Sequence, residues 1–138
     1  MPGSKTGDYI IPSTVTTILS SAIAGSESIG SITIPSSIIR IEEGTFANCS
    51  SLNSISIPSS VKFIGRFAFT GCRKLQILKT YSNIPVDLSN SMDVFSGVDQ
   101  TKCILYVPYN SANLYSNSNQ WQDFKNIFEM PGFILSST

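Results

Sequence analysis

Residues 34–79 contain one stretch of sequence written twice, IPSSIIRIEEGTFANCSSLNSIS followed directly by IPSSVKFIGRFAFTGCRKLQILK. Pro35 returns as Pro58, Ile41 as Ile64, Phe46 as Phe69, Cys49 as Cys72 and Leu52 as Leu75, each 23 positions later. A period of about 20–29 residues is that of coils stacked on one another, in which no unit can bury its apolar face alone. The chain is therefore expected to grow by addition of similar coils rather than to enclose a core around one unique arrangement.

The same spacing extends in both directions. Ile11-Pro12 aligns with Ile34-Pro35, and Val15, Ile18, Ile29, Ile32 and Ile34 fall on apolar positions of an earlier, weaker copy. That copy has Ile23 where the others have Phe and Ser26 where they have Cys, so its core is smaller and it is expected at an end. After residue 80, Tyr81 to Ile84 read as an insertion. Pro85 then opens a degenerate copy that closes at Pro108, with Phe95 one place early, Ser91 in place of Ile and Lys102 in place of Leu. The predicted units are 12–34, 35–57, 58–80 and 85–107. Residues 108–130 are predicted to cap the last coil, with Leu114, Tyr115, Trp121, Phe124 and Ile127 as its apolar face. The opening MPGS reads as a cloning remnant, which would leave any export signal upstream, and FILSST (133–138) reads as a tail.

Leu52-x-x-Ile55-x-Ile57-Pro58, followed by Val61, Ile64-Gly65, Ala68-Phe69 and Cys72, resembles the BspA-like, Treponema-type leucine-rich repeat. The CILYVP segment followed by Tyr115, Trp121 and Phe124 is also similar to the closing segment of Bacteroidetes members. The resemblance implies a mainly β, single-domain leucine-rich-repeat solenoid. It would have a parallel sheet on its concave face, short helical or irregular segments on the convex side, and a short C-terminal cap. It also implies a bacterial surface or secreted protein of adhesion type, placed extracellularly or at the cell surface. In LNSISIP the alternation of Ile55 in, Ser56 out, Ile57 in is that of a half-buried strand, which Pro58 ends by lacking an amide hydrogen.

Composition narrows the function classes. Net charge is zero and 13% of residues are charged, so basic-charge-driven nucleic-acid binding has no support, and no apolar run reaches membrane-spanning length. With no histidine there is no Ser-His or Cys-His pair and no His-ligated metal. No catalytic residue, metal or cofactor is expected. Glu42 and Glu43 are read as a solvated pair, and Asp87, Asp93 and Asp99 lack the glycine and closing Glu of a calcium loop. The Asn48-Cys49-Ser50 sequon is discounted because Cys49 is a core position. Cys49 and Cys72 are expected as stacked reduced thiols, since parallel in-register side chains point the same way.

The informative surface is the set of outward strand positions. Aligned copies give the rows Gly30, Asn53, Gln76, Cys103; Ser31, Ser54, Ile77, Ile104; and Thr33, Ser56, Lys79, Tyr106. Small polar residues give way to apolar and aromatic ones, and Gln76, Ile77, Lys79, Ile104 and Tyr106 form the candidate partner-binding set. The opposing expectation is that the insertion or the cap covers Ile77 and Ile104. The sequence points to a non-enzymatic module binding a protein, such as a host or matrix component, through this face. Two alternatives are a glycan-binding module using Tyr81, Tyr106, Tyr109 or Trp121, and a spacer in a longer solenoid. The first copy shows no polar cap before Ile11, which predicts an end-to-end dimer or further upstream repeats.

Overall fold

A computed structural model describes residues 7–132; the MPGS opening and the FILSST tail lie outside the described residues. The chain winds as a β-solenoid. Its elements are β1 (Gly7–Ile10), β2 (Thr17–Ile18), β3 (Ile29–Thr33), β4 (Arg40–Ile41), β5 (Ser54–Ile57), β6 (Phe63–Ile64), β7 (Ile77–Thr80), β8 (Ile104–Val107), α1 (Ala112–Ser116), a 3-10 turn at Trp121–Asp123 and β9 (Asn126–Glu129). The long sheet is parallel throughout, in the order β1-β3-β5-β7-β8-β9, and β2-β4-β6 form a second, smaller parallel sheet.

Each long-sheet strand is made by alternation. In β5, β7 and β8 inward residues are buried and outward residues half-exposed, so Ile55, Leu78 and Leu105 enter the core while Ser54, Ile77 and Ile104 face out. The register is that of the repeat, with Ser31 beside Ser54 and Ser54 beside Ile77. Ile77 then pairs with Ile104, 27 positions on, because the four inserted residues 81–84 are absorbed between these coils.

Behind the sheet runs a column of rings. Phe46 and Phe69 stack with centroids 5.2 Å apart, Phe69 and Phe95 stack at 5.7 Å, and Trp121 and Phe124 close the column against Phe95 at 5.2 and 5.0 Å. All five rings are buried. Phe95 stays in the column despite its early position because the convex ladder also shifts: Phe69 N–H donates to the Val94 carbonyl as Phe46 N–H donates to that of Ala68.

Two glycines are dictated by this stacking. A Cβ on Gly65 would lie 2.6 Å from the Glu43 backbone nitrogen of the preceding coil. Gly71 has φ +78°, and its Cβ would meet the Asn48 side chain.

Three expectations change. Cys103, placed outward by alignment, is fully buried; Lys102 is exposed, and the thiol fills the space that Lys102 cannot. Leu114, assigned to the apolar face of the cap, is 50% exposed. Residues 108–130 carry a further parallel strand, β9, beside β8, and β1 precedes the first predicted unit. β9 escaped the repeat alignment because a helix interrupts the coil that leads into it, and β1 because it lies before Pro12, the first aligned proline.

Candidate functional site

The outward face of the long sheet is a set of rows fixed by the ladder. One row runs Asp8, Ser31, Ser54, Ile77, Ile104, Asn126, and the next runs Ile10, Thr33, Ser56, Lys79, Tyr106, Phe128. Ile77, Lys79, Ile104 and Tyr106 are half-exposed and adjacent, and Gln76 stands exposed at the entry to β7. The Lys79 ammonium lies 5.8 Å from the Tyr106 ring centroid, and the Tyr106 and Phe128 rings lie 6.3 Å apart. Neither the insertion nor the C-terminal segment buries Ile77 or Ile104. Tyr81 and Ile84 are 46% and 75% exposed, with the insertion beyond the end of β7.

Phe128 was not selected from the sequence. The signal available was the alternation of Ile127 and Phe128 ahead of Pro131, a weak echo of the strand-then-proline pattern.

The C-terminal side of the face is held by buried polar anchoring. Tyr115 donates its hydroxyl to the Ser82 carbonyl at 2.7 Å and lies 3.1 Å from the Thr80 hydroxyl, tying α1 to the insertion. Burial pushes the Tyr115 phenol up to about 12, the Thr80 contact opposing the shift. Trp121 donates from Nε1 to the Val86 carbonyl at 2.9 Å and is fully buried, which removes it from any sugar-stacking role. Gln120 terminates the convex ladder. Its Oε1 accepts the Val94 N–H at 2.8 Å while Nε2 donates to the Leu88 and Ser91 carbonyls, so one side chain replaces bonds that another coil would supply.

Chemistry by nucleophile or metal finds little material here. All three thiols are free and buried; Cys49 and Cys72 donate to the Ile23 and Phe46 carbonyls. Burial raises the Cys49 thiol, and pushes Cys72 and Cys103 up to about 12, with nearby Cys49 and Asp99 adding to the respective shifts. Glu42 and Glu43 are ion-paired at the surface, to Arg40 at 2.6 Å and Arg66 at 3.2 Å. Asp87 and Asp99 accept hydrogen bonds from Ser89 and Thr101, which hold both carboxyls below their ordinary range. Among the described residues no group of three or more acidic, Cys or His side chains is arranged to hold a metal, and no helix is long and apolar enough to cross a membrane.

A family model described as "BspA type Leucine rich repeat region (6 copies)" matches residues 3–121. The chain belongs to this family. No curated protein matches the sequence. The BspA-type repeat accounts for the 23-residue period, the strand ending at proline and the buried Phe and Cys ladders, and it makes the chain a repeat module of the kind used in protein interaction. The outward rows are what such a module can vary without disturbing its core.

Proposed function

We propose that this protein is a non-enzymatic binding module of a bacterial surface or secreted protein, taking a protein partner on the C-terminal half of its long sheet. One observation carries the reading: the row that begins with Thr33 and Ser56 continues as Lys79, Tyr106 and Phe128. A half-exposed tyrosine, a phenylalanine 52% exposed and a lysine outside any salt bridge among the described residues form a cluster suited to the centre of an interface. The test is an array of extracellular-matrix proteins and glycans, probed with the wild-type domain and a Lys79→Glu/Tyr106→Ala variant of equal melting temperature. A protein hit lost in the variant supports the reading. Hits retained in full by the variant refute it, and an empty array favours the role of spacer in a longer solenoid.

A glycan-binding reading is favoured by a separate observation. Tyr81 and Tyr109, 46% and 60% exposed, line a groove of about 600 Å³ past the ends of β7 and β8. Hits confined to the glycans and abolished by Tyr109→Ala would select it. End-to-end pairing draws support from the other end, where Tyr9, Val15, Ile18 and Leu19 line an uncharged groove of about 270 Å³. Sedimentation of a Leu19→Lys variant against wild type tests it, and a strictly monomeric wild type would dismiss it.

A further inference from the structure

The outward face around β7 and β8 holds three neighbouring grooves, successive ones sharing wall residues along the strand direction. At the strand entries, Arg73, Lys74, Gln76 and Lys102, together with Asp99, surround about 520 Å³. Ile77 belongs to this groove and to the next, of about 330 Å³, which Lys79, Tyr106 and Glu129 also line. Met130 and Pro131 pass from that groove into the one of about 600 Å³ walled by Tyr81, Pro108 and Tyr109. The result is one track crossing the sheet, basic where the strands begin and aromatic where they end.

The charges along it are unevenly committed. The two salt bridges among the described residues use Arg40 and Arg66, leaving Arg73, Lys74 and Lys79 outside any salt bridge, while Lys102 interacts with the Asp99 charge. Asp99, the one acid at the entry end, accepts from Thr101 and interacts with Lys102, and the three cations around it leave that end net positive. Glu129, in the middle, accepts the Ala112 N–H at the start of α1. No acidic or basic side chain lines the far groove. A ligand complementary to the whole track therefore carries negative charge at one end and apolar or aromatic side chains at the other.

The sheet strands that form the floor are paired on both sides, so a ligand here reads side chains instead of adding a strand. Beyond both ends of β7 the track spans on the order of 20 Å, the length of about six extended residues.

We infer that the track binds an extended peptide segment of a partner protein, acidic at the Arg73/Lys74/Lys102 end and apolar at the Tyr81/Tyr109 end. This rests on the interaction reading above and names the chemistry and direction of its ligand.

The test uses four fluorescein-labelled peptides with the full chain. One carries three acidic residues followed by Gly-Ser-Pro-Phe-Leu, one has the acids replaced by lysines, and two are its acidic and apolar halves. Anisotropy at low and physiological salt should give binding of the bipolar peptide, roughly tenfold or more tighter than either half. The lysine peptide should not bind. Lys74→Glu/Lys102→Glu should remove the salt-dependent part of the affinity, whereas Tyr109→Ala should weaken binding and leave the salt dependence in place. Equal binding of the acidic and lysine peptides, a bipolar peptide no tighter than its halves, or no binding at all overturns the track. If the peptides fail while an array hit is still lost in Lys79→Glu/Tyr106→Ala, the track falls and the binding face stands; if the array hit also survives that variant, both fall.

Discussion

Replacing Phe69 with alanine tests the register of the whole solenoid, because its ring has partners on both sides. Phe69 is fully buried and stacks on Phe46 at 5.2 Å and on Phe95 at 5.7 Å, whereas Phe46 stacks on one ring and meets an isoleucine coil beyond it. Truncating a buried Phe to Ala costs about 3–5 kcal/mol through lost transfer energy and the cavity left behind. Each aromatic pair adds about 0.5–1.5 kcal/mol beyond area burial. Two lost pairs place Phe69→Ala near the top of that range, at about 4–5 kcal/mol, and one lost pair places Phe46→Ala at about 3–4 kcal/mol. Since domains of this kind hold about 5–15 kcal/mol in total, Phe69→Leu, which keeps most of the apolar volume but loses both ring pairs at about 1–3 kcal/mol, provides a milder variant. Urea melts of all three, with unchanged m-values, give the comparison. A Phe69→Ala cost below about 1 kcal/mol, the size of a surface change, would refute the ring column. So would a Phe46→Ala cost exceeding that of Phe69→Ala.

Other perturbations probe separate parts. Gly65→Ala drives a methyl into the Glu42–Glu43 backbone of the preceding coil and should cost about 1–3 kcal/mol in the same melts; a neutral result would mean the coils can separate there. Trp121→Phe strands the buried Val86 carbonyl and should cost about 1–3 kcal/mol, more than removing an exposed ring would. For pH, the folded Cys72, Cys103 and Tyr115 bind their protons up to about 12, while the unfolded groups release theirs near 9, 9 and 10. Above pH 9 the unfolded state therefore holds fewer protons, and stability falls as pH rises towards 12. The urea midpoint should be flat below about pH 8 and decline above pH 9, and a midpoint that rises in that window would contradict thiol burial. A thiol reagent at neutral pH should label the native protein only at the rate of opening, with all three cysteines reacting at once in urea; rapid labelling of Cys103 would restore it to the surface.

The sequence carried the core more clearly than the ends. Pro58, Ile64, Phe69, Cys72 and Leu75 are legible because a parallel in-register ladder forces one inward residue type to recur at each turn, and repetition exposes that constraint. Where a coil departs from the period the signal fails. Alignment put Cys103 opposite Gln76 and so outward, but the degenerate coil closes differently and buries the thiol next to exposed Lys102. The rows containing Ile77, Lys79, Ile104 and Tyr106 followed directly from the period. Phe128 did not, because β9 stands 22 positions from β8 and follows a helix that interrupts the repeat. Gln120 left no signal at all: a glutamine that satisfies three backbone groups looks in sequence like any surface polar residue. The grooves were equally silent, since they depend on where Met130 and Pro131 pass relative to β8.

The ring column also sets how long each part of the molecule stays closed. Rings run from Phe46 to Phe124, while the first coil contributes Ile23 in their place. In a stack where each coil is held only by its neighbours, opening starts at the weaker end and is stopped by the first strong contact. Amide exchange should therefore be fastest around Thr17 and Ile18 and slowest in β7 and β8, so that brief fraying at the amino end leaves the face bearing Lys79 and Tyr106 assembled.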